Sequence, residues 1–116
     1  MRSLVGQAME EGAMGITNAL IYPPDFFAKK DELVSLAKEA AKYGGMYTSH
    51  IRSEGNKLFE GIQELIDVSK QTGIPVEIYH LKQAGKVNWW KLDSLIKIVE
   101  QARKDGIQIT ADMYTY

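Results

Sequence analysis

At 116 residues the chain has the length of one domain, and a 45% hydrophobic content supplies enough apolar surface for a core. Its 14 lysines and arginines stand against 15 acidic residues, a net charge of -1. That balance removes the electrostatic basis for binding nucleic acid or an anionic membrane and leaves small molecules as the favoured partners. There is no cysteine, so disulfides and thiolate ligands are excluded. The opening Met1-Arg2-Ser3-Leu4-Val5-Gly6 leads into Glu10 and Glu11, unlike a secretion signal, and no apolar run reaches membrane-spanning length. A cytoplasmic setting is the default expectation.

Taken in chain order, one pattern recurs: a helical stretch, a glycine, a short β-prone run and a closing polar residue. A short helical piece around Leu4 to Glu11 precedes the run Gly12 to Asn18. A helix from Asp31 to Tyr43 leads through Gly44 and Gly45 into Met46-Tyr47-Thr48-Ser49-His50. A third helix, from about Asn56 to Thr72, stops at Gly73 and is followed by the strand Pro75-Val76-Glu77-Ile78-Tyr79-His80. A fourth, Asp93 to Asp105, is capped by Gly106 and leads into Ile107 to Asp112. Leu33, Leu36, Ala37 and Ala40 share one helical face, as do Leu58, Ile62, Leu65 and Ile66, and Leu95, Ile96 and Val99, so each helix is expected to pack by one side.

Strands that alternate with such helices must pair in parallel, because each crossover returns the chain to the same end of the sheet. The fold class predicted is therefore α/β, made of consecutive β/α units. The closing residues Asn18, His50, His80 and Asp112 then lie together at the end where α/β proteins place their active sites. The longer connections, Ala19 to Lys30 and Leu81 to Trp90, also follow strands, whereas helix-to-strand links are little more than a glycine. A scaffold with one functional face has this asymmetry.

The sequence holds two histidines, His50 and His80, both placed at the ends of neighbouring predicted strands. Parallel strands run about 4.8 Å apart, so imidazoles from equivalent ends can reach one metal ion. Two readings fit this spacing equally: a pair of metal ligands, or two strand ends capped by ordinary hydrogen bonds. Arg52 follows His50 closely and suits either a bidentate grip on a substrate carboxylate or a salt bridge with Glu54 or another loop acid. Lys82 lies two residues beyond His80 and would share its side if the strand continued. Asp112 and Tyr114 alternate on one side of the last segment, as a support for the metal site and a hydroxyl donor to substrate. Trp89 and Trp90 are expected to pack at the start of a helix. No dinucleotide-binding glycine motif, phosphate loop or serine-hydrolase elbow is present.

The segments Gly15-Ile16-Thr17, Leu20-Ile21-Tyr22-Pro23-Pro24, Tyr47-Thr48-Ser49-His50-Ile51-Arg52-Ser53-Glu54-Gly55, His80-Leu81-Lys82 and Ala111-Asp112-Met113-Tyr114-Thr115-Tyr116 resemble the D-aminoacylases, or N-acyl-D-amino-acid deacylases, of the amidohydrolase superfamily. The resemblance runs through the whole chain in order. It implies a zinc-dependent hydrolase that removes the acyl group of N-acyl-D-amino acids on a (β/α)8 barrel, of which residues 1-116 would be a single partial domain, about half of the barrel and central in it. It implies His50 and His80 as metal ligands, with Lys82, Tyr114 and, more weakly, Arg52 as substrate-binding positions. The sequence has no counterpart of the family's first-strand His-x-His pair, its cysteine ligand or its aspartate base, so no catalytic base is assigned in this chain and the chain alone is expected to be inactive. The rival reading is a non-catalytic α/β binding or structural module, which would not need metal.

Half a barrel leaves two sheet edges and an uncovered inner face, so self-association is expected. Light scattering should show mass rising with concentration; a sharp monomer at every concentration would count against it.

Overall fold

Four β/α repeats follow one another without interruption: α1 (Arg2–Glu10), β1 (Gly15–Ala19), α2 (Lys30–Ala41), β2 (Met46–His50), α3 (Leu58–Thr72), β3 (Val76–Ile78), α4 (Leu92–Lys104) and β4 (Ile109–Ala111). Single 3-10 segments, Asp25–Phe27 and Lys86–Lys91, lie in the two long connections. The structure, a computed structural model, describes residues 1-115; Tyr116, the last residue of the motif beginning at Ala111, lies outside the described residues. No helix among them is long and apolar enough to cross a membrane.

All strand pairings are parallel and the order is β1-β2-β3-β4. Each strand is thus added beside its predecessor, always on the same side. A doubly wound sheet reverses direction part-way, whereas a barrel wall does not. The arrangement is a partial (β/α) barrel: the alternation of elements predicts its parallel strands, and the family resemblance implies the barrel.

Strand residues alternate between two faces. Tyr47, Val76, Ile78 and Ile109 are buried and belong to one apolar cluster with Leu33, Ala37 and Ala40 of α2, Leu58, Ile62, Leu65 and Val68 of α3, and Leu95 of α4. The opposite face carries a polar row in register, Thr17, Thr48, Glu77 and Thr110, where the Thr110 hydroxyl donates to Glu77 at 2.9 Å. That row is the barrel-interior side.

Local chemistry ends and spaces these elements. The helix α3 stops at Gly73, which takes the left-handed conformation (φ 72°) while its N–H donates to Ser69 O at 2.7 Å. Gly15 is required for a different reason: a Cβ there would sit 2.8 Å from the Met46 backbone carbon and nitrogen, so only glycine lets β1 start beside β2.

Four expectations are corrected. The strand β3 ends at Ile78, so His80 lies two residues past it, in a turn where its own φ is 37°; β4 likewise ends at Ala111, one residue before Asp112. Past Ile78 the chain still bonds to its neighbours, Tyr79 N–H to Ser49 O at 3.0 Å and Asp112 N–H to Ile78 O at 3.2 Å, but the positive φ of His80 breaks the extended run. Ile96 does not share the buried face of Leu95 and Val99 but is 46% exposed, since one residue's step on a helix rotates it away from the core. Trp89 and Trp90 are exposed rather than packed into the start of α4; Trp90 meets Phe59 in a T-shaped contact and Lys91 Nζ lies over its ring, in a segment that coils as a 3-10 turn before α4.

Candidate metal centre

The strand β2 ends in His50, and the loop after it, Ile51 to Lys57, carries Arg52 and Glu54. This loop is pinned from several directions. Arg52 makes four hydrogen bonds, two to the Glu64 carboxylate of α3 (2.9 and 3.1 Å) and one each to the carbonyls of Phe26 and Ala28. Buried Lys91 donates to the carbonyls of Gly55 and Asn56, both at 2.9 Å, and the Glu54 carbonyl accepts from Ala84 N–H at 2.8 Å. Gly61 of α3 leaves room for the loop, since a Cβ there would press on Ser53 O at 3.3 Å. The result of these restraints is a buried Glu54 carboxylate aimed at the strand ends.

His80 reaches the same point from a strained turn. Its positive φ is uncommon for a non-glycine residue and is kept only where surrounding contacts enforce it. Asp112 enforces it: its carboxylate accepts the His80 backbone N–H and its carbonyl accepts Leu81 N–H at 2.9 Å. The imidazole of His80 stacks on Tyr114, with ring centroids 5.2 Å apart, and meets His50 edge-on at 4.4 Å.

Four groups converge. Glu54 Oε1 lies 3.3 Å from His50 Nε2, 3.1 Å from His80 Nδ1 and 2.6 Å from Lys82 Nζ. One ligand atom from each of His50, Glu54 and His80 falls within 4.8 Å of the others. The His50–Glu54 approach lacks hydrogen-bond alignment, so His50 Nε2 is a buried polar atom with no hydrogen-bond partner among the described residues. A buried imidazole nitrogen without a partner is costly unless something else satisfies it. Burial also lowers the His50 pKa below the ordinary imidazole value; nearby His80 and Lys82 act in the same direction and Glu54 opposes them. An imidazole with a buried, unpartnered ring nitrogen, next to a second imidazole and a carboxylate, is a donor set that suits zinc.

Lys82 sits at the edge of this group. Burial pulls its pKa down, but the hydrogen bonds to Glu54 and Tyr114 outweigh burial and leave it above the ordinary lysine value. The Tyr114 hydroxyl is 3.3 Å from Nζ. Of the positions singled out in the sequence, His50, His80, Lys82 and Tyr114 therefore come together, with Asp112 behind His80. Arg52 does not join them, because its guanidinium is spent on Glu64 and on backbone carbonyls. Its partner is neither Glu54 nor another acid of the loop, as the salt-bridge reading expects, but Glu64 of α3. Glu54 is the member sequence reasoning passed over. Its acidic side chain four residues after a strand-end histidine was the available signal.

No protein-family model matches the chain. Among curated proteins it is 34% identical to an N-acyl-D-glutamate deacylase and 30% identical to a D-aminoacylase, both from Alcaligenes xylosoxydans xylosoxydans. Each comparison covers all of this chain and 24% of the relative. The chain is homologous to the D-aminoacylases. It spans about a quarter of the length of these relatives, and the solved D-aminoacylase structures agree. The N-acyl-D-glutamate deacylase of Bordetella bronchiseptica superimposes with a TM-score of 0.95 at 30% identity, over 99% of this chain and 24% of that one. It is described as a complex with zinc and a phosphonate inhibitor that mimics the tetrahedral intermediate of the reaction. A D-aminoacylase structure that defines a subset of amidohydrolases superimposes at 0.93 with 28% identity, over 99% of this chain and 24% of that one, and another D-aminoacylase structure is described in terms of a binuclear metal centre.

Proposed function

We propose that residues 1-116 form one partial barrel domain carrying the metal-holding wall of an N-acyl-D-amino-acid deacylase. The observation that carries this reading is the convergence of His50 Nε2, Glu54 Oε1 and His80 Nδ1, with the first of these buried and otherwise unpartnered. In this reading the two imidazoles and the carboxylate hold zinc, which when bound supplies Lewis acidity toward an amide carbonyl and an activated water. Lys82 offers a positive charge and Tyr114 a hydroxyl beside the metal ligands, and together they suit the carboxylate of an N-acyl-D-amino acid. Asp112 keeps His80 in its turn, and Arg52 keeps the Glu54 loop against α3.

The amide chemistry belongs to a complete barrel. The 116 residues contain no cysteine and no third histidine. In this chain no described carboxylate stands free beside the cluster to serve as a base, since Glu54 is taken up by the histidines and Lys82, and Asp112 by the His80 backbone.

Two measurements test the proposal. Zinc titrated into metal-free chain is expected to bind with a stoichiometry near one, and the same chain is expected to give no turnover of N-acetyl-D-glutamate above the zinc-only control. Absence of zinc binding would favour a non-catalytic α/β module. Turnover at the rate of a full-length deacylase would mean that this quarter of the barrel contains a sufficient site.

A further inference from the structure

Lys82 is seated on the very atoms that the metal reading assigns to zinc. Its ammonium donates to Glu54 Oε1 at 2.6 Å, to His80 Nδ1 at 3.0 Å and to the Tyr114 hydroxyl at 3.3 Å. The His80 carbonyl lies farther off at 3.5 Å, so Glu54 Oε1 and His80 Nδ1 are the two nearest partners of the ammonium. As an acceptor from Lys82, His80 Nδ1 presents its lone pair; as an N–H it would instead face Glu54 Oε1, 3.1 Å away. The lone pair used is the one a metal would need, and the same holds for Glu54 Oε1.

Two cations cannot share one carboxylate oxygen and one imidazole lone pair at these distances. We propose that the Lys82 ammonium is a tethered competitor for the metal seat: zinc binds by displacing Nζ from Glu54 and His80, and the displaced ammonium turns to the Tyr114 side, where a substrate carboxylate would be received. The inference rests on the metal reading of the site. The exchange breaks the Nζ contacts to Glu54 Oε1 and His80 Nδ1 and forms metal contacts to the same two atoms, with lysine leaving as an ammonium. The long, flexible lysine stem makes the movement short-range, and Tyr114 already lies under it, with Nζ 4.8 Å from the ring centroid. Metal loading and readiness for substrate are thereby coupled through one side chain.

The test is zinc affinity, read by calorimetry on the metal-free 116-residue chain, for the wild type, Lys82→Met, Lys82→Arg and His50→Ala. Removing the competing cation should tighten zinc binding roughly 5- to 150-fold in Lys82→Met, the usual range for coupled binding events. Lys82→Arg keeps a cation on a comparable stem and should stay near the wild type. Circular dichroism melts establish that each variant is folded, and the arginine variant carries the comparison if the methionine variant is not. In that case arginine, which donates to the carboxylate through a broader planar fork, should leave the affinity within a few-fold of the wild type, and a large loss would overturn the inference.

Zinc binding by Lys82→Met that is equal to or weaker than wild type overturns the competitor role while leaving the metal site standing. Binding by Lys82→Met where the wild type shows none supports it outright. If neither binds zinc, or if His50→Ala binds as well as the wild type, the metal reading itself fails and the inference falls with it.

Discussion

Replacing either His50 or His80 by alanine is expected to abolish measurable zinc binding. Each imidazole is a direct donor in the proposed site, and a site of three protein donors cannot lose one without losing both bond energy and geometry. The loss should exceed the roughly 10- to 100-fold that removal of an outer partner of a metal ligand costs. Asp112→Asn supplies that comparison, because Asp112 touches the His80 backbone and not the metal seat. It should weaken zinc within the outer-partner range, by loosening the turn that aims His80. Calorimetry across the three variants separates the two roles. Equal, small effects in all three would mean that the histidines are strand caps and the cluster is not a metal site.

The largest effect on stability is expected from Ile62→Ala. Ile62 is fully buried in α3 and belongs to the same core cluster as the sheet residues Tyr47, Val76 and Ile78. Truncation removes apolar surface and leaves a void that a close-packed core fills only in part, a cost of about 2 to 5 kcal/mol. Domains of this size hold only about 5 to 15 kcal/mol in total, and a partial barrel with open edges has less reserve. Urea unfolding should therefore show the midpoint collapsing toward zero denaturant. Ile96→Ala, on the exposed side of α4, should leave the midpoint nearly unchanged. A similar loss from both would place the core elsewhere than α3.

The α/β class, the parallel pairing and the common end of the strands are all legible in the amino-acid sequence. The reason is that they follow from local rules: apolar residues at helical spacing, glycines at helix stops, and the geometric requirement that a helical crossover return the chain in the same direction. The placement of His50 is legible for the same reason, since strand ends are where such scaffolds collect their chemistry; His80 is expected at a strand end and instead lies two residues past β3. The sequence alone also carried the homology, through the block from Tyr47 to Gly55 and the His80-Leu81-Lys82 triplet.

What only the tertiary structure decided lies in the loops, where no period applies. Arg52 and Glu54 are two residues apart and look equally available, yet Arg52 turns outward to Glu64 of α3 while Glu54 turns inward to the histidines. That choice depends on Lys91, 37 positions from Glu54, gripping the loop carbonyls, and on the space left by Gly61. Local sequence cannot encode such contacts in a readable way, because the partners are distant in the chain. His80 is the same case: β3 ends before it, and its aim comes from a left-handed turn held by Asp112 across the neighbouring strand. Sequence determined which residues reach the open end of the barrel wall, because that depends on strand and helix periodicity. Packing determined which of them meet there, because hydrogen-bond geometry between elements selects among side chains that periodicity leaves equivalent.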